Sequence, residues 1–309
     1  MKVGMVGAGN VGAACLLALA MRDVACDVVV IDRNRERAKG VVADLQYGAE
    51  LASRVDLRTG AYADLAGAAL VMITAGQNEK AGGATDRADA SGRLRLLDAN
   101  VAVYRDIVPK VVAAAPDAVI LVITDPPDPL ADLARRLADH ERVLSSGTFL
   151  DSLRFRFHLG RRLAVHPMSV AAQVVGEHGT SEVFLWSSAR VSGVPVAAAG
   201  AQAGQSPEAL KRSVEDDVRF ANITIIEGTG ASQYGIGMAS ARIAQAILRN
   251  ERVVMPVGSF NAEYGVTLSL PSVVGREGVA RVLEPALSEL ERAGLERSAA
   301  ALREAAKRT

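Results

Sequence analysis

Two short segments carry the side-chain types that acid–base chemistry uses. Leu150-Asp151-Ser152-Leu153-Arg154 supplies a carboxylate and a guanidinium, and Val175-Gly176-Glu177-His178-Gly179 supplies one of the four histidines in the chain. The other three read as surface residues: His140 sits at a charged helix end, and His158 and His166 flank a basic loop. His178 lies between an apolar run and a glycine, where a buried imidazole requires a partner. Taken alone it reads as a satisfied structural histidine.

A third signature changes that weighing. Gly7-Ala8-Gly9-Asn10-Val11-Gly12 follows an apolar strand and opens a helix, and twenty residues beyond Gly12 a second strand ends at Asp32. A lone GxGxxG is weak, but this strand–turn–helix–strand context is the one a dinucleotide requires. Gly7 permits the tight turn, Gly9 lets backbone N–H groups approach a pyrophosphate, and Gly12 lets helix and strand pack closely. Asn10 and Val11 open the helix, whose N-terminus adds partial positive charge. Asp32 accepts hydrogen bonds from an adenosine ribose and repels a 2′-phosphate, so NAD is favoured over NADP. With a nicotinamide present, Asp151, Arg154 and His178 form the set that hydride transfer to a 2-oxo acid needs: a proton donor, a carboxylate that fixes its tautomer and a cation for the substrate carboxylate. An Asp–His pair raises the imidazole pKa and sets its direction. Arg154 can hold a carboxylate through two parallel N–H···O bonds.

The elements that must position these residues are legible in outline. Strands are expected at Lys2–Val6, Asp27–Ile31, Ala69–Thr74, Ala118–Thr124 and Val143–Ser145, with helices at Val11–Arg22, Arg35–Tyr47, Leu94–Ala115 and Pro129–Ala138. Continuous apolar strands alternating with helices imply a parallel, doubly wound Rossmann-type α/β sheet. After about residue 147 the texture changes to a mixed α+β region, with strands at Ser181–Val191 and Arg252–Gly258 and helices at Pro207–Glu227, Gly237–Asn250 and Ser288–Arg308. The expected division is an NAD-binding domain over residues 1–146 and a catalytic domain over residues 147–309.

Composition narrows the partners. Half of the 309 residues are hydrophobic, so a large core is affordable to the chain, and Lys+Arg and Asp+Glu balance at 35 each. No global field favours nucleic acid or a membrane surface. Aromatics at 4% argue against a base-stacking surface. A small molecule is the expected partner. No apolar run approaches the ~20 residues that span a bilayer, and the chain opens directly on a strand and a turn; a cytoplasmic location is expected. Cys15 and Cys26 show no metal or redox spacing and are expected as buried free thiols. No His/Cys/carboxylate group has metal-ligand spacing.

The chain resembles the L-lactate/L-malate dehydrogenase family over nearly its whole length. GAGNVG, the VVVID strand, ITAG, SSGTFLDSLRFR, GEHGTSEVFLWSS and GASQYGIG stand in the family's order. The resemblance implies that His178 is the acid/base, Asp151 its orienting carboxylate and Arg154 the carboxylate clamp. It implies a mobile loop after the third of the expected strands, whose arginine closes over the substrate; Arg93 is favoured and Arg87 competes. It places Thr74, Ala75, Gly76, Asn100 and Asp125 at the cofactor and Arg87, Asp125 and Ser232 at the substrate. It also implies a homodimer or homotetramer, to which helices Val11–Leu19 and Glu208–Ile226 could contribute surfaces.

Several positions depart from the family. The loop Gln77–Gly92 is longer than the lactate dehydrogenase pattern, so the residue that separates lactate from malate is either Glu79 or Arg87. The family's Thr-Asn-Pro-Val-Asp reads Thr124-Asp125-Pro126-Pro127-Asp128 here, its first proline bond open to cis or trans. An ionised Asp125 cannot donate to a ketone oxygen, and like charges in a water-poor site repel. Asp125 is then protonated, or an acceptor for ribose alone, or matched to a cationic nitrogen; the remaining alternative is a turn residue before proline with no chemical role. The aspartate after HisGly is Thr180. Arg156 matches an arginine of the fructose-bisphosphate site, but its partner histidine is Ala171, which argues against that control. The expected activity is NAD-dependent interconversion of an L-2-hydroxy acid and a 2-oxo acid. An imino-acid reductase and a non-enzymatic NAD(H)-binding relative are the alternatives.

Overall fold

The computed structural model describes residues 1–52, 54–77 and 92–309, with side chains from residue 95 onward in the last segment. The expectations for Glu79 and Arg87, and for the side chain of Arg93, lie outside the described residues.

Strands β1 (Lys2–Val6), β2 (Asp27–Ile31), β3 (Asp56–Thr59), β4 (Leu70–Ile73), β5 (Val119–Val122) and β6 (Val143–Ser145) pair in parallel in the order β3-β2-β1-β4-β5-β6. Helices α1 (Asn10–Arg22), α2 (Arg35–Ala49), α3 (Gly92–Ala114) and α4 (Pro127–Ala138) cover both faces. Alternate residues of one strand serve opposite cores. Val3, Met5, Leu70 and Met72 pack on the side of α1, whereas Val71, Ile73, Ile120 and Val122 pack on the side of α3 and α4. Burial on both faces is why these strands read as unbroken apolar runs. The order reverses between β1 and β4, and doubly wound sheets bind ligands at the carboxyl ends of strands at such a switch point.

The second half begins with α5 (Phe149–Arg162) and continues through β7 (Val170–Ala171), β8 (Val174–Val175), β9 (Val183–Phe184), β10 (Arg190–Val191) and β11 (Val194–Pro195). It then runs through α6 (Val196–Gln202), α7 (Pro207–Arg219), α8 (Ala221–Thr229), α9 (Tyr234–Leu248), β12 (Val253–Asn261), β13 (Val266–Gly275), β14 (Gly278–Val282) and α10 (Glu289–Ala306). The antiparallel ribbon β12–β14 adds to the parallel sheet where Gly258 pairs with Ser145 of β6. One sheet therefore crosses residue 147, and α9 packs against α1 of the first half.

Three expectations change. The stretch 181–191 is strand only at β9 and β10; between them the Ser187 N–H donates to Glu291 Oε1 at 2.9 Å, which turns the chain away from a ladder. The helix expected over 207–227 breaks at Phe220 (φ −98°, ψ 2°), between α7 and α8. Cys15 is buried as expected, but Cys26 is exposed.

Candidate active site

The carboxyl ends of β1, β4 and β5 open into a cavity of about 560 Å³. The turn after β1 is closed by the Gly7 N–H donating to Ile31 O at 2.8 Å. A Cβ on Gly9 would meet nothing within 4 Å, whereas one on Gly12 would sit 2.1 Å from Gly7 O. Gly9 thus leaves open space on the cavity side, and Gly12 brings α1 against the turn. Gly9, Asn10 and Val11 line the cavity, and no side chain caps the N-terminus of α1. Its free N–H groups suit a pyrophosphate. Asp32, just beyond β2, accepts from Ala8 N and Asn34 N at 2.7 Å each, one bond per oxygen. Each oxygen keeps a lone pair for a ribose hydroxyl. These residues fit NAD.

The remaining expected cofactor residues divide into two kinds. Thr74 and Gly76 line the cavity, and Thr74 Oγ1 donates to Gly7 O at 2.9 Å. Ala75 hydrogen-bonds through its backbone N–H to Val6 O. Asn100, fully buried on α3, lies beneath the cavity instead of facing it. Its Oδ1 accepts from Gln77 N at 2.7 Å and its Nδ2 donates to Asp125 O at 2.8 Å, tying the β4 and β5 loops together.

The catalytic candidates converge at the other end of the cavity. Asp151 and Arg154 lie three apart on α5, hence on one face, and Arg154 Nη1 donates to Asp151 Oδ1 at 2.9 Å. His178 arrives on the loop after β8. That loop is pinned where Gly176, at φ +86°, pairs with Ser269 of β13; a Cβ there would meet Ser298 Oγ at 2.5 Å, so glycine is required for both conformation and space. His178 Nδ1 is 2.6 Å from Asp151 Oδ2. Its other nitrogen, Nε2, lies on the cavity side, 4.0 Å from Asp125 Oδ1. Asp151 is 2% exposed. Burial works to raise its carboxyl, but the His178 imidazole and then the Arg154 guanidinium outweigh it and hold it below the ordinary range. Asp151 therefore stays an anion that binds the Nδ1 proton and leaves Nε2 as the working nitrogen. Arg154 and Ser232 also line the cavity.

Asp128, to which no role had been assigned from sequence, proves to support the site. It is fully buried on α4, where Oδ2 accepts the His178 backbone N–H at 2.9 Å and Oδ1 accepts Ser145 Oγ–H at 2.5 Å. Burial pushes its carboxyl up to about 6, against the pull of those two donors. Glu182 is a second unforeseen group. It is buried, its Oε1 has no hydrogen-bond partner, and burial together with nearby Asp151 drives its carboxyl well above the ordinary range. Of the departing positions, Thr180 is exposed, and Arg156 commits Nε to Ala172 O at 2.9 Å. The Asp125–Pro126 peptide is cis. Helix α8, through Asn222 and Ile226, adds cavity wall that sequence reading did not anticipate.

A dinucleotide cradle facing an Asp–His–Arg cluster across one cavity is the arrangement of a nicotinamide-dependent dehydrogenase. Residues 1–144 match the NAD-binding domain of lactate/malate dehydrogenases, and residues 148–309 match their α/β C-terminal domain. The chain is 43% identical to the L-lactate dehydrogenase of Chloroherpeton thalassium over 308 residues, covering 99% of this chain and 98% of the relative. Identity to that of Thermus aquaticus is 44% over 314 residues, again with 99% and 98% covered. The crystal structure of the minor L-lactate dehydrogenase from Enterococcus mundtii superposes with a TM-score of 0.91 at 34% identity, covering 99% of this chain and 97% of that one. The chain belongs to the lactate/malate dehydrogenase family. It is an NAD-dependent 2-hydroxy acid dehydrogenase acting on a small molecule. Among the described residues no helix is long and apolar enough to cross a membrane.

Proposed function

We propose that this dehydrogenase interconverts pyruvate and L-lactate, with residues 1–146 holding the cofactor and residues 147–309 the substrate. The observation that carries the proposal is the Asp151–His178 contact of 2.6 Å with Arg154 on the same carboxylate. NADH supplies the hydride that reaches C2 of the 2-oxo acid. His178 Nε2 gives its proton to the ketone oxygen, while Nδ1–H stays with Asp151. In the reverse direction the same nitrogen takes the hydroxyl proton. Arg154 spends one nitrogen on Asp151, and its remaining N–H groups hold the substrate carboxylate. Arg93, at the second position of α3, is carried as the carbonyl-polarising arginine on the family resemblance. Pyruvate, not oxaloacetate, is favoured because the relatives above are L-lactate dehydrogenases and because Ala231 and Ser232 make a small wall.

A homo-oligomer in the cytoplasm completes the proposal. Large apolar side chains stay exposed on α1 (Leu17, Met21) and α9 (Tyr234, Met238), two helices that pack on each other, and such surface favours a second copy. The test is NADH oxidation against pyruvate, oxaloacetate, longer 2-oxo acids and a cyclic imino acid. The highest kcat/KM is expected for pyruvate. A higher value for oxaloacetate would make the enzyme a malate dehydrogenase. Turnover confined to the imino acid would assign Asp125 to a cationic nitrogen.

A further inference from the structure

Asp125 faces the cavity, and the chemistry proposed above leaves it without a task. Its Oδ1 lies 4.0 Å from His178 Nε2, on the opposite side of the ring from Asp151, which is 2.6 Å from Nδ1. The imidazole thus stands between two carboxylates. The placement is built into the support of the site. The Asp125 carbonyl accepts Asn100 Nδ2 at 2.8 Å, and Asp128, three residues on, accepts the His178 backbone N–H at 2.9 Å. One turn of chain therefore holds the backbone of the histidine and sets a carboxylate beside its working nitrogen.

We infer that Asp125 is a positioning residue that keeps His178 protonated at Nε2 and so carries 2-oxo acid reduction to higher pH than Asp151 alone would allow. This rests on the reading of His178 as the proton donor. Reduction needs the imidazolium, because each turnover moves a hydride to C2 and the Nε2 proton to the ketone oxygen. A carboxylate near Nε2 stabilises the charged ring and leaves the neutral ring unaided. Other charged groups face the ring as well. Asp151 from α5 stabilises the same charge and Arg154 from α5 opposes it. Burial pushes the Asp128 carboxyl on α4 up to about 6, burial and then nearby Asp151 raise the Glu182 carboxyl well above its ordinary range, and Glu177 adjoins His178 in the chain. Of these groups, Asp125 is the one whose carboxylate lies on the Nε2 side, at 4.0 Å. Both side chains of the pair are about one-fifth exposed, so water screens the contact and places the effect at the lower end of the ~1–3 pH units typical of an opposite charge at this range.

The experiment compares wild type with Asp125→Asn and Asp125→Ser. The kcat/KM for 2-oxo acid reduction by NADH is followed from pH 5.5 to 9.5, and the four histidine Cε1–H resonances are titrated by NMR, with His178 assigned by substitution. Removing the carboxylate is expected to move the alkaline limb, and the His178 midpoint with it, down by about one unit, which is roughly a tenfold lower kcat/KM above both limbs. A purely structural role would lower the plateau and leave limb and midpoint in place, and that result overturns the inference. Should neither variant fold, Asp151→Asn keeps the test: a His178 midpoint still above ~6.5 with Asp151 neutralised sustains the inference, and one at or below that value overturns it. Failure of wild type to reduce any 2-oxo acid while still binding NADH would instead remove the reading of the site, and the NMR midpoint would still decide whether Asp125 charges the ring.

Discussion

Replacing Asp128 with asparagine isolates the cost of a buried carboxylate under the active site. The group is fully buried and its carboxyl rises from 3.8 to about 6. A rise of that size is worth on the order of 3 kcal/mol, at ~1.4 kcal/mol per pH unit. The sign follows from the folded value lying above the unfolded one. Below about pH 4 the group is neutral in both states and costs nothing. As pH rises through 6 the unfolded chain ionises more readily, and wild type loses stability that the asparagine variant keeps. Asparagine keeps the contact to His178, its Oδ1 accepting the backbone N–H, but reverses the one to Ser145, whose hydroxyl donates to the carboxylate in wild type; that lost acceptor is a cost independent of pH, so the pH dependence is the readout. The assay is urea unfolding at several pH values, followed by the single tryptophan, Trp186. Relative to Asp128→Asn, wild type is expected to lose about half of the total between pH 5 and 7.5. A difference that stays flat with pH, or wild type gaining on the variant, would refute the burial argument.

Three further outcomes are expected. Arg154→Gln should lower kcat/KM for the 2-oxo acid roughly 10- to 100-fold, the scale of a lost charged hydrogen-bond pair, with NADH affinity by fluorescence unchanged. Asp32→Ser should raise the NADPH-to-NADH ratio of kcat/KM on the order of tenfold, since one like-charge contact of about 1 kcal/mol or more disappears. A thiol reagent at pH 7.5 should give a single adduct by mass spectrometry, at exposed Cys26; burial pushes Cys15 up to about 12, so it should react only on unfolding.

What could be read in the sequence follows burial and spacing. Lys2–Val6, Asp27–Ile31 and Val143–Ser145 coincide with β1, β2 and β6 because buried parallel strands are apolar runs with polar ends. Strand β3, Asp-Leu-Arg-Thr, escaped notice because an edge strand buries little; only Leu57 of its four residues is buried. Strand β13 escaped because its serines and Pro271 break the apolar pattern, although all ten residues are buried. Asp151, Arg154 and His178 were legible as a set, since helix spacing places the first two on one face and a glycine-flanked histidine marks a loop. Asp128 was not, because its partners are Ser145 and a backbone N–H from a distant loop, and neither contact has a local pattern. The choices between Glu79 and Arg87 for the residue that separates lactate from malate, and between Arg93 and Arg87 for the closing arginine, rest on residue types and on the family resemblance.

The most direct test of the catalytic reading is His178→Gln, measured for NADH-dependent pyruvate reduction beside NADH binding. With His178 as the proton donor, kcat falls by ~10²–10⁴ while NADH binds as in wild type. Turnover preserved in the variant would contradict the assignment of Asp151, His178 and Arg154 as the working set.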